Sequence, residues 1–308
     1  NALHRRLGHA SKARMKQVLR EHKFLNLSLK DLDLLSPSDS CHTGKIRRAD
    51  RPKTDPNDPS SAPCFGHTLV SDSTGKQDTA TRSGKHYANV TVDINSRWTW
   101  VTLLTSLKQT FLKVTKKLLK HLQPRTKVFR TDLGSEFNNT WTKEFLDELG
   151  IQPNYACAGD HYQNGLAETT IRILYNMART FLADAKLPIS FWGEAMICAC
   201  FVKNRMPSQS LGGKSPYEKR FDKKFDMRRL RAFGAHCTVM KHPDKLAGNK
   251  TRPRCFKGIM VGYGDPFGLK GWRVYIPELR YIVTSPNVIF NDSMPDSINL
   301  RDPSLVVD

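Results

Sequence analysis

Between residues 67 and 204 the spacing of apolar positions changes period several times. HTLVSD (67–72) is a short apolar run that predicts a strand ending at Asp72. HYANVTVDI (86–94) alternates, with Ala88, Val90, Val92 and Ile94 on one face, the period of a half-buried strand. Asn95-Ser96 predicts a turn into a further strand over 97–104, giving a hairpin. LKQTFLKVTKKLLKHL (107–122) has helical spacing, and KVFRT (127–131) is a short strand followed by Asp132. A helix over 141–149, a strand over 152–156 and a long helix over 163–185 follow. The long helix buries a stripe of Ala167, Ile171, Leu174, Ala178, Phe181 and Leu182. Pro188 ends that region, and 190–204 is a further packed helix. The order β-β-β-α-β-α-β-α predicts an α/β fold with a mixed sheet flanked by helices.

The flanks read differently. Residues 3–25 have helical spacing through Met15, Val18, Leu19 and His22. Residues 50–63 carry four prolines and little that is apolar, which marks a linker. From about 207 the chain turns basic, and 214–231 holds eight Lys and Arg. Beyond it, short apolar runs punctuated by Gly and Pro (CTVM, GIMVGY, RVYI, RYIV, NVIF) predict a small β-rich unit. The expected organisation is an N-terminal helical region (1–49), a linker (50–63), a core (64–206), a basic connector (207–231) and a β-rich C-terminal region (232–308).

Charge narrows the function class. The 308 residues include 49 Lys and Arg against 29 Asp and Glu, a net charge of +20. The excess is +7 over 1–55, +3 over 56–200 and +10 over 201–308. Basic arms around a near-neutral middle suit a protein that grips a polyanion, so nucleic acid is the expected partner. No apolar run approaches the ~18 residues of a membrane span, so no membrane is expected. No secretory leader is seen, and a start at Asn1 suggests a fragment of a longer chain. Seven cysteines, an odd number without CxxC, point to a reducing compartment rather than a disulfide framework.

Three acids close or open predicted core elements: Asp72 after the first strand, Asp132 after the fourth, and Glu168 early in the long helix. An acid at a strand end is ordinarily a solvated or capping residue. Three converging at one sheet edge would instead make an oxygen-rich cage for hard divalent cations. Two such ions about 3.5–4 Å apart suit phosphoryl transfer without a protein nucleophile.

The motifs around these acids resemble the integrase region of copia-type LTR retrotransposon Pol polyproteins. HRRLGHAS (4–11) resembles the start of the pre-integrase zinc region, and VSDSTG (70–75) the segment with the first catalytic Asp. VTVDINSRWTWV (90–101) resembles the following hairpin, FRTDLGSEF (129–137) the second-Asp motif and YQNGLAE (162–168) the Glu motif. SPYEKRF (215–221), LRAFGAHC (230–237) and FKGIMVGY (256–263) resemble the region after the core. The resemblance implies an RNase H-like core with a mixed five-stranded sheet, dependence on Mg²⁺ or Mn²⁺, and joining of element cDNA to host double-stranded DNA. It also implies a homo-oligomer, since two DNA ends are handled together, and action in the nucleus after a cytoplasmic particle stage. On it, Asp72, Asp132 and Glu168 are the catalytic, metal-holding triad. Asp93 is a rival for the first Asp, at a position where the family carries a non-catalytic acid.

The same resemblance implies a zinc site at His4, His9 and Cys41. The family pattern puts another Cys at 38, where this chain has Ser38, so the site is degenerate and Asp39 or His42 are the candidates for a fourth ligand. Leu133, Ser135, Thr169 and Lys76 are milder departures. His161, Tyr162, Gln163 and Asn164 form a polar, aromatic loop that reads as DNA-facing, or else as an ordinary helix-leading loop capped by Asn164 or Asp160. Arg172 lies one turn from Glu168, to bind phosphate or to pair with that acid. Arg228, Arg229 and Arg231 are the expected phosphate contacts of the connector. Trp98 and Trp100 read as core, and Cys198 and Cys200 as buried. The rival functions are a catalytically degenerate integrase remnant that only binds nucleic acid, and an RNase H-like nuclease.

Overall fold

A computed structural model describes Lys16 and residues 62–132, 140–155, 165–240, 254–264 and 271–291. The chain divides between Asp55 and Pro56 into two units, a boundary inside the proline-rich segment. Apart from Lys16, the helix predicted over 3–25 lies outside the described residues, as do the zinc-like residues.

The first sheet is built from β1 (Thr68–Ser73), β2 (Tyr87–Asp93), β3 (Thr99–Leu104), β4 (Val128–Thr131) and β5 (Gln152–Tyr155), in the order β3-β2-β1-β4-β5. β1, β2 and β3 pair antiparallel, whereas β1-β4 and β4-β5 pair parallel. The change of sense at β1 follows from the connections. A tight turn joins β2 to β3, and the crossovers through α1 (Leu107–Leu122) and α2 (Thr140–Glu148) return the chain in the same direction.

Period-two alternation assigns the two faces of this sheet. Ala88, Val90 and Val92 pack with Leu174 and Ala178 of α3 (Gly165–Ala185) and with α4 (Trp192–Lys203). Leu69, Trp98, Trp100 and Phe129 face the other way, onto Leu118, Leu119 and Leu122 of α1 and Phe145 and Leu146 of α2. Both tryptophans are therefore core residues, as their alternation predicts. In the α3 stripe Ala167, Leu174 and Ala178 are buried, while Ile171, Phe181 and Leu182 are half-buried against the same cluster.

A second sheet follows the basic connector. After the short α5 (Pro216–Phe221), the strands β6 (His236–Met240), β7 (Cys255–Tyr263), β8 (Trp272–Ile276), β9 (Tyr281–Ser285) and β10 (Val288–Phe290) pair in the order β10-β6-β7-β8-β9. Every pairing is antiparallel. These are the five apolar runs seen in the sequence.

α4 explains how the two sheets meet. Trp192, Gly193, Ala195, Met196, Cys198, Ala199 and Cys200 are all buried, so the helix is apolar around its circumference. Such a helix needs cover on more than one side. It lies between the first sheet and the second, and one continuous core holds Val90, Met196, Ile259, Met260 and Tyr275. Gly193 permits the approach to the first sheet, since a Cβ there would come within 2.6 Å of Thr81 Cγ2 and 2.7 Å of Leu103 Cδ1. Gly234 permits the turn into β6: its φ is +89°, and a Cβ would collide with the Cβ of Ala185.

Candidate active site

The parallel pairing of β1 with β4 sets the site. Thr68 stands opposite Val128, Leu69 opposite Phe129 and Val70 opposite Arg130. Continued two places, that register aligns Asp72 with Asp132 at the C-terminal ends of strands about 4.8 Å apart. Both residues are half-buried. A Ser73 backbone N–H donates to Asp72 Oδ1 at 2.8 Å.

The β1 end is fastened from β2. Asn89 is buried, and its Nδ2 donates to the Asp72 carbonyl at 3.1 Å and to Ser73 Oγ at 3.2 Å. Ser71 Oγ donates to Asn89 Oδ1 at 3.2 Å and lies 3.0 Å from Thr91 Oγ1. This buried polar net holds the backbone that carries Asp72. The sequence offers only a polar residue at an inward strand position as its signal.

Glu168 lies in the first turn of α3, where a carboxylate is favoured by the helix dipole, and it is exposed. No ion pair joins it to Arg172, which is also exposed. Among the described residues no three His, Cys, Asp or Glu side chains form a group able to hold a metal ion, so Glu168 does not join the two aspartates in one cluster. The segments next to Asp132 and before Glu168, 133–139 and 156–164, lie outside the described residues, as do His161, Tyr162, Gln163 and Asn164.

Asp93 has a different role. It is fully buried at the opposite end of the β1-β2 pair, across from Leu69. Its Oδ1 accepts from Gly66 N at 2.9 Å, and its Oδ2 accepts from Ser96 N at 2.7 Å and Ser96 Oγ at 2.5 Å. Burial raises its pKa despite these bonds. The residue closes the β2-β3 turn.

The connector arginines diverge. Arg229 is exposed. Arg231 is half-buried, with its guanidinium 5.3 Å from the centre of the Phe290 ring and Nη1 donating to the Leu230 carbonyl at 3.0 Å. The side chain of Arg228 lies outside the described residues. The near-neutral average of the core also hides a basic stretch: residues 106–131 hold eight Lys and Arg and no acid, and Lys116, Lys117 and Lys120 are exposed on α1.

Cys198 and Cys200 are buried free thiols, as expected, and burial pushes both up to about 12. Among the described residues no helix is long and apolar enough to cross a membrane.

Comparison with known proteins bears on the whole arrangement. Residues 64–161 match the integrase core domain, and residues 237–303 match the retroviral polymerase SH3-like domain. The chain is 28% identical over 294 residues to the retrovirus-related Pol polyprotein from transposon TNT 1-94 of Nicotiana tabacum, covering 94% of this chain and 21% of that protein. It is 29% identical over 180 residues to the Pol polyprotein from transposon RE1 of Arabidopsis thaliana, covering 57% and 12%. It is 25% identical over 309 residues to the transposon Ty1-BR Gag-Pol polyprotein of Saccharomyces cerevisiae, covering 96% and 17%. The chain thus spans about a fifth or less of the length of these relatives. Among solved structures, the HTLV-2 integrase catalytic core domain in complex with magnesium aligns at 20% identity and a TM-score of 0.41, over 52% of this chain and 99% of that one.

Proposed function

We propose that this chain, which carries an integrase core domain followed by a retroviral polymerase SH3-like domain and is homologous to Ty1/copia-type retrotransposon Pol polyproteins, is a retrotransposon integrase. The reaction is polynucleotidyl transfer: a DNA 3′-hydroxyl oxygen attacks a target phosphodiester, one P–O bond forms and another breaks.

The observation that carries this reading is the parallel register of β1 with β4, which, continued two places, sets Asp72 level with Asp132. Paired carboxylates at such an edge offer hard oxygen donors, which fit Mg²⁺ or Mn²⁺. Glu168, which stands apart from the pair in this structure, is the proposed third metal-holding residue. A divalent cation held by these carboxylates would supply activation of the attacking oxygen and stabilisation of the leaving one. The protein's own part is to fix Asp72 on β1 and Asp132 directly after β4, with Asn89 bracing the backbone of the first. Arg172, one helical turn from Glu168, is the proposed contact to substrate phosphate, together with Arg228 and Arg229 of the connector. Double-stranded DNA, a homo-oligomer that brings two DNA ends together, and a nuclear site of action complete the reading.

A strand-transfer assay on short duplex ends tests it. Asp72→Asn, Asp132→Asn and Glu168→Gln are each expected to abolish joining while leaving the circular-dichroism spectrum unchanged. Full joining by Asp132→Asn would overturn the assignment. An unsubstituted chain that binds DNA but joins none under Mg²⁺ or Mn²⁺ would instead support a binding-only remnant. Zinc at His4, His9 and Cys41 is proposed as a separate structural site. Ser38→Cys should raise its affinity by restoring a thiolate, and one tightly bound zinc per unsubstituted chain would show that another residue already serves.

A further inference from the structure

A cavity of about 200 Å³ opens along the outer edge of β3, between the end of α4 and α5. Its walls include Trp98, Trp100, Phe201 and Tyr217, and two arginines, Arg205 and Arg220, enter it. β2 separates β3 from the strand that carries Asp72, so the cavity is distinct from the aspartate pair.

The arginines are held in an unusual setting. The Arg205 guanidinium lies 3.2 Å from the centre of the Phe201 ring, whose other neighbour, Tyr263, stacks on it at 3.7 Å. Arg205 is also 5.3 Å from the Tyr217 ring and 6.0 Å from Trp98. Its Nη1 donates to the Phe201 carbonyl at 2.8 Å, but its Nε is buried with no hydrogen-bond partner. Arg220 sits 4.5 Å from the Trp98 ring and 4.7 Å from Phe221. Burial lowers both guanidinium pKa values to about 10.

Among the described residues neither arginine makes an ion pair with a carboxylate. The acid whose charge bears on Arg220 is Asp93, and its two oxygens already accept bonds from Gly66 and Ser96. Two half-buried guanidinium groups therefore flank Trp98 without a dedicated counter-anion among the described residues. Aromatic rings stabilise a guanidinium but do not accept its in-plane N–H bonds. A phosphate oxygen would do so, because the planar fork of Arg matches phosphate geometry. The cavity volume suits a single planar group rather than a duplex, and nucleobases stack on such rings.

We propose that this cavity binds a nucleotide, with the base among the aromatic walls and the phosphate on Arg205 and Arg220. The phosphate-bearing base has two sources, a free mononucleotide or one residue of a single strand. The assignment does not rest on the strand-transfer reading, and either can fail without the other.

The test titrates the full chain with deoxyadenosine monophosphate, deoxyadenosine, inorganic phosphate and a short single-stranded oligonucleotide, followed by tryptophan fluorescence and calorimetry. The monophosphate is expected to saturate and quench, and the nucleoside or phosphate alone to bind about tenfold or more weakly. An oligonucleotide that binds no more tightly than the monophosphate identifies the free nucleotide as the occupant. A tighter one, displaced by the monophosphate, identifies the strand. Arg205→Gln with Arg220→Gln should weaken the monophosphate about 10- to 100-fold. Phe221→Glu, at a rim position 44% exposed, adds a carboxylate beside Arg220 and should weaken it with little cost in stability, so it decides the matter if the double variant fails to fold. Absence of saturable monophosphate binding, or unchanged affinity in Phe221→Glu, would overturn the proposal.

Discussion

Arg273 of β8 grips Glu194 of α4 through two nitrogens: Nε donates to Oε2 at 3.0 Å, and Nη2 donates to Oε1 at 2.9 Å and to Oε2 at 2.8 Å. The pair joins the helix layer of the first sheet to the second sheet, beside the shared core of Met196, Ile259 and Tyr275. Glu194 is the more buried partner. The two sheets are thus fastened by a directional bond as well as by apolar burial.

Glu194→Gln should therefore cost about 1–3 kcal/mol, the usual worth of hydrogen bonds to a charged group. Chemical denaturation measures it. A double-mutant cycle with Arg273→Gln should show strong coupling, since each single change leaves the other residue half-buried and unpaired.

Asp93→Ala tests the separation of structural from catalytic acids. It removes two accepted bonds that close the β2-β3 turn and a third that ties Gly66 to it, so stability should fall by about 1–3 kcal/mol or more. Any strand-transfer activity that survives folding should keep its divalent-metal dependence. Loss of metal response in a folded Asp93→Ala would reinstate this residue as the first catalytic acid.

Alkaline pH should destabilise the fold. The thiols of Cys198, Cys200 and Cys237 are pushed up to about 12 by burial, from a usual value of 9.0. Above pH 9 the unfolded chain releases these protons while the folded chain keeps them, so stability falls as pH rises towards 12. Lys203 works in the opposite sense. Burial lowers it from 10.5 to about 8, so the folded chain sheds that proton first and stability rises between about 8 and 10.5. A melting temperature that rises slightly past pH 8 and then falls above pH 9 is expected. Lys203→Gln should remove the early rise.

Salt dependence of DNA binding should distinguish the connector arginines. Arg229 is exposed, and its change to Gln should flatten the slope of log K against log salt by about 0.9 if it contacts one phosphate. Arg231 is packed over Phe290, so Arg231→Gln should lower stability more than it alters the slope. An equal slope change in both variants would show that Arg231 leaves the ring to reach DNA. Changing Lys117 and Lys120 on α1 together should also flatten the slope, because residues 106–131 carry no acid to offset them.

The local chemistry of the chain was enough for most of its described elements, though not for α5, which lies within the basic connector. The helix over 107–122 matches its apolar spacing at both ends, and the alternation of Ala88, Val90 and Val92 placed all three on one buried face. Element type depends on the side chains within one segment, which a sequence displays directly. The five strands of the second sheet were legible for the same reason. Asp72 and Asp132 were visible as strand-ending acids, and the motifs around them supplied the expected role.

What the tertiary structure decided lies in pairings between distant segments. Sequence alone does not say that β4 adds to β1 in a register that sets Asp132 level with Asp72, because that register depends on the crossover through α1 and on packing on both faces. Nor does it say that Asn89 braces the Asp72 backbone, that Asp93 turns inward to close a hairpin, or that Arg231 lies over Phe290. Of the two arginines in the aromatic cavity, Arg220 is in sequence one of the eight basic residues of 214–231, and Arg205 carries no motif of its own. Only the packing of α4 and α5 over the edge of β3 takes them partly out of water, and that follows from the sum of many weak apolar contacts rather than from any one motif.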